Sequence, residues 1–270
     1  MRTAIVIPAY NEATTVGEVA VRALAQAAHV IVIDDGSVDG TGGCVASLPV
    51  ELIRHARNGG KAASLWDGFA AALRGGAECV VTLDADGQHR PEDVPRLIAA
   101  ARLHPHRIVI GARLRNRARA PRVRRAANAF ADFWVSWAAG HRIVDSQSGL
   151  RAYPAALLRA IQSGERVRHD APASFTLESE ILIEAAGAGY ETVAVPVAAL
   201  YFDGRASHFR NVRDTLRISR MIARRLFLAG LRPRGLWRCI TGRATVLATA
   251  PEAGAGVQSA GAAHRSRVAP

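Results

Sequence analysis

The chain alternates short apolar runs with longer segments whose apolar positions recur at helical spacing. Residues 4 to 7 form a buried-strand run, and the alanine-rich stretch from about 14 to 28 reads as the helix that follows it. Residues 30 to 33 read as a second strand. The alternation continues with a short strand over 50 to 53, a helix from about 60 to 74, a strand over 79 to 83, a helix from 91 to about 103 and a strand over 107 to 110. Strand and helix in turn predict an α/β fold, a doubly wound and mostly parallel sheet flanked by helices. Beyond it the pattern predicts a helix over 126 to 139, a loop over 163 to 174, a helix near 177 to 188 and a strand near 192 to 197.

In open sheets of this kind ligands collect beyond the carboxyl ends of the strands, so residues just after Ile7, Ile33, Leu83 and Ile110 are expected to line one cleft. The chain's acidic chemistry falls at those exits. Leu83-Asp84-Ala85-Asp86-Gly87-Gln88-His89 places two carboxylates one residue apart at the end of an apolar strand. Hard divalent cations, Mg²⁺ or Mn²⁺, take such oxygens together with substrate phosphates. Asp-x-Asp-Gly alone is equally an ordinary turn. Its neighbours change that balance, because Ile33-Asp34-Asp35-Gly36-Ser37 and Pro8-Ala9-Tyr10-Asn11-Glu12 repeat the polar exit on two earlier strands.

Charge narrows the partner. The formal net charge is +12, and it is arginine charge, since Lys61 is the sole lysine. Arginine forks match phosphate oxygens, so an anionic partner is expected. Nucleic acid is the poorer choice, because acids at three strand exits weaken polyanion binding. Cys44, Cys79 and Cys239 stand at spacings that fit neither a zinc site nor a disulfide framework, which suits a reducing, cytoplasmic setting. No apolar stretch is long enough for a signal peptide or a membrane span. Residues 212 to 231 mix apolar and arginine positions as an amphipathic helix suited to an anionic bilayer, giving a domain over 1 to 231 with peripheral contact at the cytoplasmic membrane face. Residues 232 to 270 lack hydrophobic patterning and are expected to form a disordered tail.

Taken in order, Ile7-Pro8-Ala9-Tyr10-Asn11-Glu12, Asp34-Asp35-Gly36-Ser37 with Asp39-Gly40-Thr41, and Asp84-Ala85-Asp86-Gly87-Gln88-His89 resemble the signature of family 2 glycosyltransferases with the GT-A fold. Gly111-Ala112-Arg113, the run from Asp145 to Tyr153, and Glu180-Ile181-Leu182 leading to Val195-Pro196-Val197 make the chain most similar to polyprenyl-phosphate sugar synthases of the dolichyl-phosphate mannose synthase type, over roughly residues 3 to 225. The resemblance implies a nucleotide-sugar donor, with Pro8, Tyr10, Glu12, Ile33 and Asp35 at the nucleoside. It implies Asp84, Ala85, Asp86 and Gln88 at the diphosphate, with Asp86 and Gln88 on Mg²⁺ or Mn²⁺ and Asp84 orienting the donor sugar. Arg113 and Arg205 would then neutralise phosphate. The implied reaction is a single displacement with inversion.

The acceptor is left open between a lipid phosphate, whose oxygen is ionised already, and a hydroxyl, which requires a carboxylate base. Glu180 is the first candidate for that base and Asp145 the second; pairing with an arginine and helix capping are their bland alternatives. Lys61, Arg151 and His208 are candidates for acceptor or phosphate contacts. His208 stands where these synthases usually carry a lysine. The arginine run over 113 to 125 is either a solvated basic face or an acceptor loop. A nucleotidyltransferase also uses a parallel sheet and paired carboxylates, but commonly with a glycine-rich loop after the first strand where this chain has Pro8-Ala9-Tyr10-Asn11-Glu12.

Overall fold

The central apolar runs pair side by side buried on both faces, which is possible only where helices cover the sheet above and below. In the computed structural model, which describes residues 1–116, 122–163, 177–200, 222–223, 226–227, 230–231 and 233–248, the strands are β1 (Thr3–Ala9), β2 (His29–Asp34), β3 (Glu51–Arg54), β4 (Cys79–Thr82), β5 (Arg107–Ala112), β6 (Arg151–Pro154) and β7 (Glu191–Pro196). They form a seven-stranded sheet in the order β3-β2-β1-β4-β6-β5-β7. The helices are α1 (Val16–Leu24), α2 (Lys61–Arg74), α3 (Val94–Leu103), α4 (Arg122–Ala139), α5 (Ala155–Ser163), α6 (Leu177–Gly187) and α7 (Pro233–Thr241). One core cluster, with Val6, Ile31, Phe69 and Tyr153, lies on one face of the sheet, and a second, with Ile5, Val32, Leu97 and Val109, lies on the other.

The expected strands and helices that fall within the described residues are present, with two corrections. First, β6 and the helix α5 after it were not foreseen, and β6 runs antiparallel to both neighbours, with Thr82 opposite Arg151 and Ile110 opposite Arg151. A strand reading Arg-Ala-Tyr-Pro has no apolar run to announce it. Second, the stretch after residue 231 is not wholly a tail. Helix α7 buries Gly235 and Cys239 against α4, and Val246 bridges to Ala194 while Leu247 packs on the second core cluster. The expected loop over 163 to 174 falls almost wholly outside the described residues, as does most of the expected helix over 212 to 231. Among the described residues no helix is long and apolar enough to cross a membrane.

One close approach sets the depth of the site. A Cβ on Gly68 would collide with Val6 and Ile33, so only glycine lets α2 lie this near β1 and β2. That contact brings the first residue of α2, Lys61, over the carboxyl end of the sheet.

Candidate active site

The loops leaving β1 and β2 are sewn together by polar side chains. Asn11 sits at φ 54, a left-handed conformation that asparagine tolerates, and its Oδ1 accepts from Val38 N at 3.0 Å. Asn11 N donates to Ser37 Oγ at 3.0 Å and Glu12 N to Thr41 Oγ1 at 2.8 Å. Asp39 accepts from Ala13 N and Thr41 N. The stitched loops hold Tyr10 and Glu12 half-buried at the rim.

Asp34 and Asp35 both act on the protein's own backbone. Asp34 accepts from Ser37 N at 3.0 Å and pairs with Arg54 at 3.4 Å. Asp35, 2% exposed, accepts from Gly59 N and Gly60 N, each at 2.8 Å, and shares a 2.6 Å hydrogen bond with His55. It therefore anchors the turn that delivers Lys61. Two expected nucleoside or diphosphate contacts are corrected at the side-chain level: Ile33 is fully buried in the core and Ala85 is 2% exposed.

The centre of the cleft is a compact set of charges. Lys61 Nζ lies 2.7 Å from Asp84 Oδ1 and 3.1 Å from Glu178 Oε2. Burial would favour neutral lysine, but the two carboxylates outweigh it and raise the Lys61 pKa, so the ammonium stays charged. Asp84 is correspondingly held below the usual carboxylate range, against burial, chiefly by Lys61. Asp86 behaves oppositely. Burial, together with repulsion from Asp84 and, more weakly, Glu12, pushes its carboxyl up to about 6. Its Oδ1 accepts from Gln88 N at 2.9 Å. At the Asp86 end of the cleft carboxylates thus crowd one another, a setting that a cation relieves. Among the described residues no three His, Cys, Asp or Glu side chains gather as a closed metal cage. One carboxylate joined by diphosphate oxygens is nonetheless a donor set that Mg²⁺ and Mn²⁺ accept, and the residues fit a cation that arrives with a nucleotide.

Gly149 packs directly on Asp84, since a Cβ there would overlap the carboxylate. Beside it, His89 is buried and lowered to about 4, by burial first and then by Arg113. The Ser148 hydroxyl donates to Gly111 O at 2.6 Å, so His89 Nε2, 3.4 Å from Ser148 Oγ, is the donor of that pair. His89 is neutral and structural at physiological pH.

Arg113 is gripped by Asp145 through its backbone N, Nε and Nη2 at 2.7, 2.9 and 2.6 Å. Asp145, at φ 54, is itself fixed by Asp132 of α4, which accepts from Asp145 N at 3.1 Å and from Ser146 N and Oγ, each at 2.7 Å. Burial notwithstanding, the Arg113 bonds hold the Asp145 carboxyl below its ordinary value, so a base role is corrected to that of a counter-ion. Arg151 is corrected as well. It is 0% exposed and donates to the carbonyls of Ser148, Ser146 and Glu178 at 2.7, 2.7 and 2.8 Å, so it is spent inside the protein rather than offered to an acceptor. On α6 the carboxylate that reaches Lys61 is Glu178, while Glu180 is half-buried elsewhere on the helix, because residues two apart do not share a face. Arg205 and His208 lie outside the described residues.

Residues 4–160 match the family described as Glycosyl transferase family 2, more than half of the chain. The chain belongs to that family. This glycosyltransferase is 28% identical over 230 residues to the UDP-N-acetylglucosamine--dolichyl-phosphate N-acetylglucosaminyltransferase of Methanococcus voltae, covering 77% of this chain and 89% of the relative. It is 33% identical over 178 residues to the undecaprenyl-phosphate mannosyltransferase of Micrococcus luteus, covering 60% of this chain and 70% of that one. The resemblance to polyprenyl-phosphate sugar synthases therefore stands. Its fold is that of glucosyl-3-phosphoglycerate synthase from Mycobacterium tuberculosis, solved in complex with Mn²⁺, UDP and phosphoglyceric acid, at a TM-score of 0.59 and 19% identity, over 84% of this chain and 78% of that one. The glycosyltransferase has the GT-A fold.

Three residues that shape the cleft escaped the sequence reading. Glu178 and Asp132 lie in helices whose cores are apolar, where an isolated acid signals a buried partner rather than a solvated face. Gly149 left no signal beyond its place in the run from Asp145 to Tyr153.

Proposed function

We propose that this enzyme transfers a sugar from a nucleoside diphosphate sugar to a lipid-linked acceptor, a polyprenyl phosphate, at the cytoplasmic membrane face. The observation that carries the reading is the contrast between Asp84, paired with Lys61 at 2.7 Å, and Asp86, two residues on, which accepts from Gln88 N and is pushed up by burial and by Asp84. Asp84 then faces the donor sugar as a fixed anion, while Asp86 with Gln88 holds Mg²⁺ or Mn²⁺ against the diphosphate. When bound, the cation stabilises negative charge on the departing nucleoside diphosphate. Arg113, aimed by Asp145, and Arg205 add positive charge at the same leaving group. Tyr10 and Glu12 at the rim meet the nucleoside.

A phosphate acceptor is already ionised, so the inverting displacement needs no base on the protein, which agrees with three carboxylates of the cleft being held in ion pairs: Asp84 and Glu178 by Lys61, and Asp145 by Arg113. The relatives named above, both acting on polyprenyl phosphates by name, support that acceptor class. The test is calorimetric titration with UDP, GDP and their sugar conjugates, with and without Mn²⁺, on the wild-type enzyme and on Asp86→Ala. Metal-dependent binding of one nucleotide, lost in the variant, is expected. Incubation of that donor with polyprenyl phosphate should then give free nucleoside diphosphate and an organic-soluble sugar of inverted configuration. Pyrophosphate release, or label transferred only to water-soluble hydroxyl acceptors, would overturn the assignment.

A further inference from the structure

Away from the cleft, α4 and α7 carry an aromatic surface that the transfer reaction does not use. On α4, Phe130 and Phe133 are 52% and 39% exposed, beside Trp134 and Trp137, whose rings stack at 5.2 Å. On α7, Trp237 and Ile240 are 69% and 62% exposed, while the helix turns Gly235 and Cys239 inward. Phe227 is also exposed, and Trp137 Nε1 of α4 donates to Leu231 O at 3.0 Å. Scattered single hydrophobes need no explanation, but several exposed aromatics on two helices packed against each other do.

The charge around this surface says what covers it. Arg234, Arg238 and Arg243 are exposed, and residues 233–248 contain no Asp or Glu. Tryptophan and isoleucine ringed by arginine on a short surface helix form a pattern that lies in the headgroup layer of an anionic bilayer, with apolar side chains at the acyl boundary and guanidinium groups on lipid phosphates. Its position has a use. Asp132, on the same turn of α4 as Phe130 and Phe133, holds the loop carrying Asp145 against Arg113. One helix width, about 10–12 Å, therefore separates the aromatic face from the cleft wall.

We infer that the outer face of α4 and α7, centred on Trp237, is the surface through which this enzyme docks on an anionic membrane. Its purpose rests on the lipid-linked acceptor proposed above, but the contact is measurable with no acceptor present. The experiment is flotation of the full chain with vesicles of phosphatidylcholine containing about a third phosphatidylglycerol, and with phosphatidylcholine alone. Wild-type protein should float with the anionic vesicles, and the double variant Trp237→Glu, Ile240→Glu should bind them at least about tenfold more weakly. Arg234→Gln and Arg238→Gln should each weaken anionic binding about fivefold, the equivalent of about 1 kcal/mol per charge, and leave the weak binding to neutral vesicles unchanged. All these side chains are exposed, so nucleotide titration should match wild type in each variant, which separates failure of docking from failure of the donor site. Unchanged flotation of the double variant would overturn the inference. So would a lipid-independent dimer that Trp237→Glu dissolves, because the face would then belong to a second copy of the chain.

Discussion

The fate of a single carboxylate depends here on which side chains lean on it. Asp84 and Asp86 share a strand exit, yet one is lowered and one raised, because Lys61 stands at 2.7 Å from the first. Gly149 protects that arrangement by having no side chain. In Gly149→Ala the new methyl would displace the Asp84 carboxylate from Lys61 while the backbone stays put. Turnover is expected to fall roughly a hundredfold with an unchanged circular dichroism spectrum, since displacements of the order of 1 Å carry that cost at a reacting centre. The carboxylates were legible in the sequence because acids after apolar strands are conspicuous. Lys61 was visible only as a lone lysine after Asn58-Gly59-Gly60, and its partner Glu178 lies so far along the chain that no local pattern links them. Arg151 misled for a related reason. Its guanidinium is satisfied by carbonyl oxygens, and carbonyls have no sequence signature.

At the scale of elements, strands buried on both faces announce themselves by β-branched runs, whereas β6 and α7 do not. β6 draws its stability from its two neighbours and from the buried Arg151, and α7 buries only Gly235 and Cys239, with no apolar stripe to announce it. The helices on one side of the sheet are clasped by a surface pair whose effect is open to titration. Arg22 of α1 grips Glu92, ahead of α3, through Nε and Nη2, each at 2.8 Å. That hydrogen bonding lowers the Glu92 carboxyl from 4.5 to about 2, although burial opposes it. A lowered carboxyl contributes stability that is fully present above its unfolded value and is lost as the pH falls through the folded one. Glu92→Gln should therefore be less stable than wild type at pH 6, by no more than about 1 kcal/mol given the exposure of the pair, and should match it near pH 2. Denaturant midpoints at the two pH values provide the check.

For the whole molecule, the boundary drawn at residue 231 is the clearest difference between expectation and structure. Composition after that point is poor in aliphatic residues, yet Cys239 is buried against α4, Arg142 donates to Cys239 O at 3.1 Å, and Val246 extends the sheet edge at Ala194. A chain ending at residue 231 should consequently melt lower than the full chain. A loss of roughly 2 kcal/mol would shift Tm by about 4–8 °C, read by differential scanning calorimetry. A silent truncation would restore the tail reading.

The antiparallel β6 has a consequence for how the cleft is made. The strands bearing the acids, β1, β2 and β4, all leave the ribosome before residue 83, and with β3 they are neighbours in an unbroken parallel set. The other wall, with Asp145, Gly149 and Arg151, comes from a strand that slots in beside β4 only after β5 has been synthesised, and Glu178 follows later still. Translation thus lays down Asp84 and its partner Lys61 well before the rest of the cleft wall, so the nascent chain passes through a stage in which Asp84 lacks the cover of Gly149 and Lys61 lacks Glu178.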